Sequence, residues 1–516
     1  MTYGMDETKR SNAVFWVIAL ALVGFNIFQL LMLPANHDIS WLVHLSGRVL
    51  GGEKLYTWIM ESNPPFIVFF NFPAVVIAKV ASLKNIYGYY LYVYLIIIIS
   101  LLTVYKLSAT TIGSLSLRSR QLFYLTLIFI IFSIPYRDFG QREHLAMVLI
   151  LPYLFSVPAR LNNAAISMPW LIIAGLFAGL GFALKPFFII IWLAVEIYTF
   201  FNNSAKRYNF PLNNLITLAI YISYIFYLVL FSNYDKMLSI IRHTYWAFDQ
   251  PLKPFFDLGY FIPVIICLVV FCFKFPKPYQ QMIAILQITT ICFWLFAAIQ
   301  QKWHYYHFYP GLALAILLSG LALCLLMDTA GETRFRKYGE TGMIALLTGA
   351  MLFYSALQVG KGYYYSRNAY FANHVALAKK YANKKPVYAL STNLLHTFPL
   401  VNYSGAFWPY RIPSLWFFPG TMNAKHKKRK IFFQGTYYNE KEFQEALANF
   451  IIAELEKTPP ELLIVDDSPE KPGFKGQKFD FIEYFSRYDR FKQLFDHYRL
   501  INKVDNLLYY QRHPSN

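Results

Sequence analysis

The sequence predicts a polytopic α-helical membrane protein of about eleven transmembrane helices, followed by a small C-terminal α/β domain on the extracytoplasmic side. Three observations predict it. Apolar runs of bilayer-spanning length recur from residue 12 to about residue 358. Lys and Arg collect in the short loops between those runs. From residue 359 the pattern changes to short strand-like runs alternating with amphipathic helices. Composition agrees: the 516 residues are 57% hydrophobic and 19% aromatic, with a mean hydropathy of +0.37. The net charge of +19 would by itself suit nucleic acid, but the positive-inside rule accounts for its placement, and no nucleic-acid partner is expected. Cys267, Cys272, Cys292 and Cys324 all lie in apolar segments, so the polar C-terminal part has no disulfide framework.

Met1 to Asn12 is a short polar tail, placed in the cytoplasm by Lys9 and Arg10. The first span, roughly 13–33, is too long and uniformly apolar for a typical cleaved signal peptide. The first outer loop, 34–86 with its juxtamembrane helices, contains NHDISWLVHLSGRVLGGEKLYTWIMESNPP at 36–65. From Ile39, apolar Leu42, Leu45 and Val49 follow helical spacing until Gly51 and Gly52 stop the helix. With Trp41, this is a short helix suited to lying flat at a membrane surface. The apolar stretch 65–82 is interrupted by Pro64, Pro65, Asn71 and Pro73. Read as re-entrant or interfacial, it leaves the loop with Lys106, Arg118 and Arg120 inside, together with every later basic loop.

The remaining spans fall at about 87–105, 121–135, 144–158, 168–184, 187–201, 212–232, 259–273, 280–299, 306–327 and 341–358. The inner loops then carry Arg160, Lys206 and Arg207, Lys274 and Lys277, and Arg334, Arg336 and Lys337. The chain divides into a transmembrane domain, 1–358, and an extracytoplasmic domain, 359–516. In the latter, PVYALST (386–392), LLIVDD (462–467) and the late LLYYQR read as strands. Residues 440–457 and 480–498 read as amphipathic helices. KHKKRK at 425–430 is a solvated charge run or a contact for an anionic lipid or glycan.

The ionisable residues collect on one expected face. His37 and Asp38 lie in the first outer loop; Arg137, Asp138, Arg142, Glu143 and His144 lie in PYRDFGQREHLAM; Lys185 stands in ALKPFF; and Lys302, His304, Tyr305 and His307 lie in QQKWHYYHFYP. Ionisable groups at membrane depth are costly, and their convergence on one face marks a functional site. A carboxylate with several cations suits an enzyme that deprotonates an acceptor and stabilises a phosphate leaving group.

These residues resemble the GT-C glycosyltransferases. An acidic residue after the first span, followed by GEKLYTWIMESNPP, is similar to their G-x-x-x-Y, acidic, K/N-P-P signature. DFGQREHLAMVLILPYLF resembles their acidic second outer loop, AGLFAGLGFALKPFFII the Gly-rich helix ending in Lys, and KWHYYHFYPGLALAI the basic, aromatic, Pro segment before a late helix. The resemblance covers about residues 12–327 and is greatest to the aminoarabinose transferase and protein O-mannosyltransferase branch. It departs where Glu143 follows Arg142 in place of an Asp and where Pro186 follows Lys185 in place of Gly.

The resemblance implies an inverting transferase of the bacterial inner membrane. Its donor is a polyprenyl-phosphate-linked sugar, its acceptor a lipid, glycan or protein, and membrane lipids surround it. Asp38 is then the general base. Glu143 positions the acceptor, or binds a divalent cation where a subfamily uses one; no cofactor or metal-ligand set is otherwise indicated. Lys185, Lys302 and Arg142 neutralise the lipid phosphate, with His304, Tyr305, Glu61 and Tyr56 lining the site.

Each residue also has a plainer reading. Asp38 precedes a helical pattern and suits an N-cap. Glu143 suits an exposed ion pair with Arg142 or Arg137, and Lys185 a side chain snorkelling to the interface. His304 and His307 suit either a metal pair or an aromatic belt. The rival function is a transporter or flippase of lipid-linked glycans, which would show inverted repeats that this sequence lacks. A glycan polymerase or ligase is the third reading.

Overall fold

A computed structural model describes residues 2–203, 210–252, 257–329, 334–367, 369–422 and 430–513. The chain forms two compact units, one of Met1–Leu33, Val93–Ile225 and Gln250–Tyr365, the other of Pro34–Tyr92, Phe226–Asp249 and Ser366–Asn516. The second unit thus adds the first outer loop and the segment 226–249 to the C-terminal region.

Every expected span coincides with a helix: Thr2–Met32, Asn85–Ile112, Leu117–Phe132, Arg142–Leu161, Met168–Leu184, Ile189–Asn202, Leu212–Leu230, Leu258–Phe271, Lys277–Gln300, Tyr305–Thr329 and Arg334–Arg367. Among the described residues, 7 helices are long and apolar enough to cross a membrane. The other four, Leu117–Phe132, Met168–Leu184, Ile189–Asn202 and Leu258–Phe271, have 14 to 17 residues. Helices of that size rise about 21–26 Å, less than the ~30 Å hydrocarbon core. The stretch 65–82 forms two still shorter helices, Phe66–Phe70 and Phe72–Val80, which meet at buried Asn71. The basic pair Lys206 and Arg207 lies outside the described residues.

In the first unit, glycines let the helix Met168–Leu184 approach two neighbours at backbone distance. A Cβ on Gly175 would stand 2.6 Å from the carbonyl oxygen of Asn213, and one on Gly179 2.8 Å from Cβ of Ile220. On the side of Arg142–Leu161, a Cβ on Gly181 would meet Cβ of Leu149 at 3.0 Å. Small residues at such contacts replace the hydrophobic drive that lipid does not supply. Elsewhere in this unit, Trp294, Ala297 and Phe308 form a cluster against Tyr260, Phe261, Val264 and Trp303.

The second unit holds a four-stranded sheet. Strands β1 (Val387–Leu390), β2 (Ile431–Phe433), β3 (Thr436–Tyr438), β4 (Leu462–Asp466), β5 (Tyr498–Val504) and β6 (Leu507–Arg512) follow in chain order. The sheet order is β1-β4-β6-β5, with β1 and β4 parallel and the other pairs antiparallel. β1 and β4 are buried throughout, as their uninterrupted apolar runs require. β2 and β3 make a separate hairpin, whose turn residues Gln434 and Gly435 both have positive φ, 48° and 83°. Two left-handed residues match the strand twist of a tight hairpin. The helix Glu440–Lys457 starts from a capping box between Asn439 and Glu442. Of the charge run, residues 425–429 lie outside the described residues, and Lys430 is exposed just before β2.

Two expectations are corrected here. Residues 480–498 are not one helix but Phe481–Phe485 and Asp489–Phe495, followed by β5. Phe485 and Phe491 are both buried. Six residues apart on a continuous helix they would point about 120° apart, and the extended Tyr488 between the two helices brings both inward. The segment 233–258, left between the expected spans 212–232 and 259–273 with no element assigned, contains the helix Tyr234–Thr244.

Burial lowers the pKa of three histidines of the second unit. His44 packs in a three-ring cluster with Trp41 and Phe398; burial, then Arg48, lowers its pKa from 6.5 to about 4. His374 is lowered to about 4 by burial and by His396. His396 is lowered by burial, against the pull of Asp466.

Two predictions follow from the packing and the histidines. Gly181→Val drives its side chain into Leu149 and Ile150, so the melting temperature in detergent should fall by an amount equivalent to about 1–3 kcal/mol. On acidification from pH 6.5 to about 4, the unfolded chain binds protons that the folded one refuses. Stability should therefore fall through that window, by roughly 1.4 kcal/mol per pH unit for each such histidine, and level off below it. A pH series of thermal melts checks this, with His44→Phe reducing the slope.

Candidate active site

The helix Arg142–Leu161 is started by Gln141, whose side-chain oxygen accepts from the Arg142 amide at 3.2 Å. Its approach is fixed by His144, a satisfied core histidine. Nδ1 accepts from the Gly140 amide at 3.0 Å, which makes Nε2 the donor to the Ile131 carbonyl, also at 3.0 Å. Glu143 lies in the first turn, 1% exposed, where the helix dipole favours a negative charge.

Lys185 ends the Gly-rich helix. Its extended backbone, with Pro186 next, breaks the chain between Met168–Leu184 and the turn Pro186–Phe188. Its Nζ donates to Oε1 of Glu143 and, at 2.9 Å, to Oε1 of Gln300. His307 Nδ1 donates to the same Glu143 oxygen at 2.7 Å. Because that nitrogen is a donor, its 3.4 Å approach to the Lys185 ammonium is proximity and not a bond. Glu143 Oε2 is buried and has no hydrogen-bond partner among the described residues. A buried acceptor without a partner is an exception that calls for an explanation.

The first unit therefore brings Glu143, Lys185 and His307 together and adds Gln300, which the sequence reading missed. A neutral amide beside KWHYYHFYP carries no signal of its own. Glu143 is not in an exposed pair with Arg142 or Arg137, and Lys185, 6% exposed, does not snorkel. Arg142 is buried beside Glu143 in sequence. Lys302 is half-buried and His304 is exposed, its ring stacked on Tyr306. The Tyr305 hydroxyl donates to the Ile134 carbonyl at 3.0 Å. Among the described residues, no three His, Cys, Asp or Glu side chains converge as a metal site. On Glu143 Oε1, the Lys185 ammonium fills the place of a cation.

The second unit holds the other candidates. The helix His37–Leu50 is capped by Asn36, whose side chain accepts from the Asp38 amide at 2.8 Å. Asp38 is thus not the cap; its partly exposed carboxylate stands in the first turn, 3.5 Å from His37 Nε2. The entry to this helix is held by Tyr403, whose hydroxyl accepts from the Ala35 amide, and by Asn402, which donates to the Ser40 carbonyl. Its exit is held by Arg48, which grips Glu53 in two-point contact and donates to the Tyr410 carbonyl at 2.6 Å. Glu61, 2% exposed, takes the Trp41 indole N–H on Oε2 and the Asn63 amide, at 2.7 Å, on Oε1. The Tyr56 hydroxyl donates to the Asn63 carbonyl. Glu61 and Tyr56 therefore brace the turn before Pro64-Pro65.

Removing one member of the buried pair should cost more than removing both. Lys185→Met leaves Glu143 buried without its cation and should lower stability by roughly 3–5 kcal/mol. The double variant Glu143→Gln, Lys185→Met should lose clearly less than the sum of the single losses, as detergent melting curves will show.

No family model and no curated protein matches the sequence. Among solved structures, the chain is similar to ArnT from Cupriavidus metallidurans. The form bound to undecaprenyl phosphate is 12% identical over 96% of this chain and 97% of that one, with a TM-score of 0.58. The apo form is 12% identical over 97% and 98%, with a TM-score of 0.55. An Archaeoglobus fulgidus oligosaccharyltransferase in complex with Zn and sulfate gives 12% identity over 97% of this chain and 73% of that one, at a TM-score of 0.46. Over nearly its entire length, this chain shares the fold of ArnT.

Proposed function

We propose that the protein is an inner-membrane glycosyltransferase that moves a sugar from a polyprenyl-phosphate donor to an acceptor on the outer face. The observation that carries this reading is the likeness, across 96% of the chain, to a structure that holds undecaprenyl phosphate. The side chains supply chemistry of the required kind. An acceptor oxygen attacks the anomeric carbon with inversion, the bond from that carbon to the phosphate oxygen breaks, and the lipid phosphate leaves with the electron pair. Asp38 takes the acceptor's proton. That role is supported by the place of Asp38, a partly exposed carboxylate in the first turn of a helix that Asn36 caps.

Lys185 supplies positive charge for the leaving phosphate, where an ammonium removed from bulk water acts most strongly. Glu143 and Gln300 aim it. The unpartnered Oε2 of Glu143 receives a hydroxyl of the incoming substrate. Arg142 and Lys302 add to the positive field, and the 359–516 region lies on the acceptor side with the N-terminus in the cytoplasm.

The test is transfer of radiolabelled sugar from a polyprenyl-phosphate donor pool in membranes. Asp38→Asn keeps the size of the side chain and cannot accept a proton at neutral pH. It should lower transfer at least about 100-fold with protein level unchanged. Equal transfer by wild type and variant would remove Asp38 from the chemistry. Transfer by neither protein, alongside donor uptake into vesicles, would favour a transporter.

A further inference from the structure

A cleft of about 230 Å³ opens within the second unit; Tyr56 lines it, while Asp38, Glu143 and Lys185 do not. Its floor is apolar. Met237 and Ile240 from the helix Tyr234–Thr244, Phe433 from β2, and Phe450 from the helix Glu440–Lys457 line it and are buried. Met60 closes one flank, tied by its amide to the Arg411 carbonyl at 2.8 Å. At the mouth stand two cations in different states. Arg411 lies 5.3 Å from the Phe450 ring and has its Nε on Glu454 at 3.2 Å. Lys236 is exposed; its Nζ donates to the Asn233 side-chain oxygen at 2.8 Å and stands 6.0 Å from the Phe432 ring. Both contacts are neutral, and no carboxylate lies within ion-pair reach of Lys236 among the described residues. Lys430, exposed and adjacent to β2, adds charge of the same sign.

An uncompensated ammonium above an apolar floor selects against most ligand classes. A bare anion would use the mouth and leave the floor against water. A neutral sugar would set hydroxyls against Met237 and Ile240, with no partners there for them. A molecule with an anionic head and a hydrocarbon tail satisfies both ends. We propose that this cleft binds an anionic lipid, its phosphate against Lys236 and Arg411 and the first part of an acyl chain over Met237, Ile240 and Phe450.

The full-length protein in neutral detergent is photo-labelled with phosphatidic acid carrying a diazirine early in one acyl chain, and the labelled peptides are mapped by mass spectrometry. Peptides with Met237 and Phe450 should carry the label. Excess dioleoylphosphatidic acid should remove it, and dioleoylphosphatidylcholine should not. Lys236→Gln, a surface change that removes the charge and keeps a polar side chain, should lower labelling about fivefold at an unchanged melting temperature, one cation near a lipid phosphate having about that effect. Ile240→Trp fills the floor and should abolish labelling. Equal labelling by a phosphatidylcholine probe, or label absent from these peptides, would overturn the proposal; competition by inorganic phosphate as effective as by the lipid would assign the site to a free anion. The assay uses no sugar donor, so it stands or falls separately from the transferase reading.

Discussion

A cation held between two side-chain oxygens, away from water, is the interaction on which the first unit depends. Lys185 cannot be left there without Glu143, and Glu143 cannot be left without Lys185, because a lone charge in that setting is costlier than the pair. The surroundings read as provisions for that pair. Gly181 lets the two helices that carry it approach, Pro186 interrupts the chain at the lysine, and His144 pins the strand of loop ahead of the glutamate. His307 and Gln300 arrive from the late helices and satisfy what remains. An arrangement assembled from four chain segments is an expensive way to hold one ammonium, which argues that its charge is needed.

The second unit solves a different problem. The helix with Asp38 is short, and 14 residues seldom hold a helix in water on their own. It is fastened at both ends from far along the chain, by Tyr403 and Asn402 at its start and by the carbonyls around Tyr410 at its finish. The C-terminal region therefore serves the first outer loop directly, and a reading that treats it as an appended domain misses its structural role.

Hydropathy made the helices legible, since a bilayer demands long apolar runs, and β1, β4 and β6 were legible as apolar or aromatic runs between turn residues. The hairpin of β2 and β3 was within reach: IFFQGTYY flanks a Gln-Gly turn with aromatic residues. The charge run beside it masks the pattern, because KHKKRK by itself suits a solvated loop. The helix Tyr234–Thr244 was hidden by its polarity, as its buried side presents only Met237, Ile240, His243 and Thr244. At the site, Glu143 and Lys185 stood out as charges, but nothing in one dimension paired them, 42 residues apart. Gln300 could not be seen at all, because a neutral amide gains meaning only from what it touches.

Glu61 has a consequence for the motif that contains it. One of its oxygens reaches the indole of Trp41 on one side and the other reaches the backbone of Asn63 on the opposite side. The carboxylate spans a fixed gap. An aspartate would carry the same charge on an arm one methylene shorter and would have to release one contact to keep the other. The acidic residue before Asn-Pro-Pro is thus chosen for reach, and the position acts as a ruler that sets how far the proline turn stands from its helix.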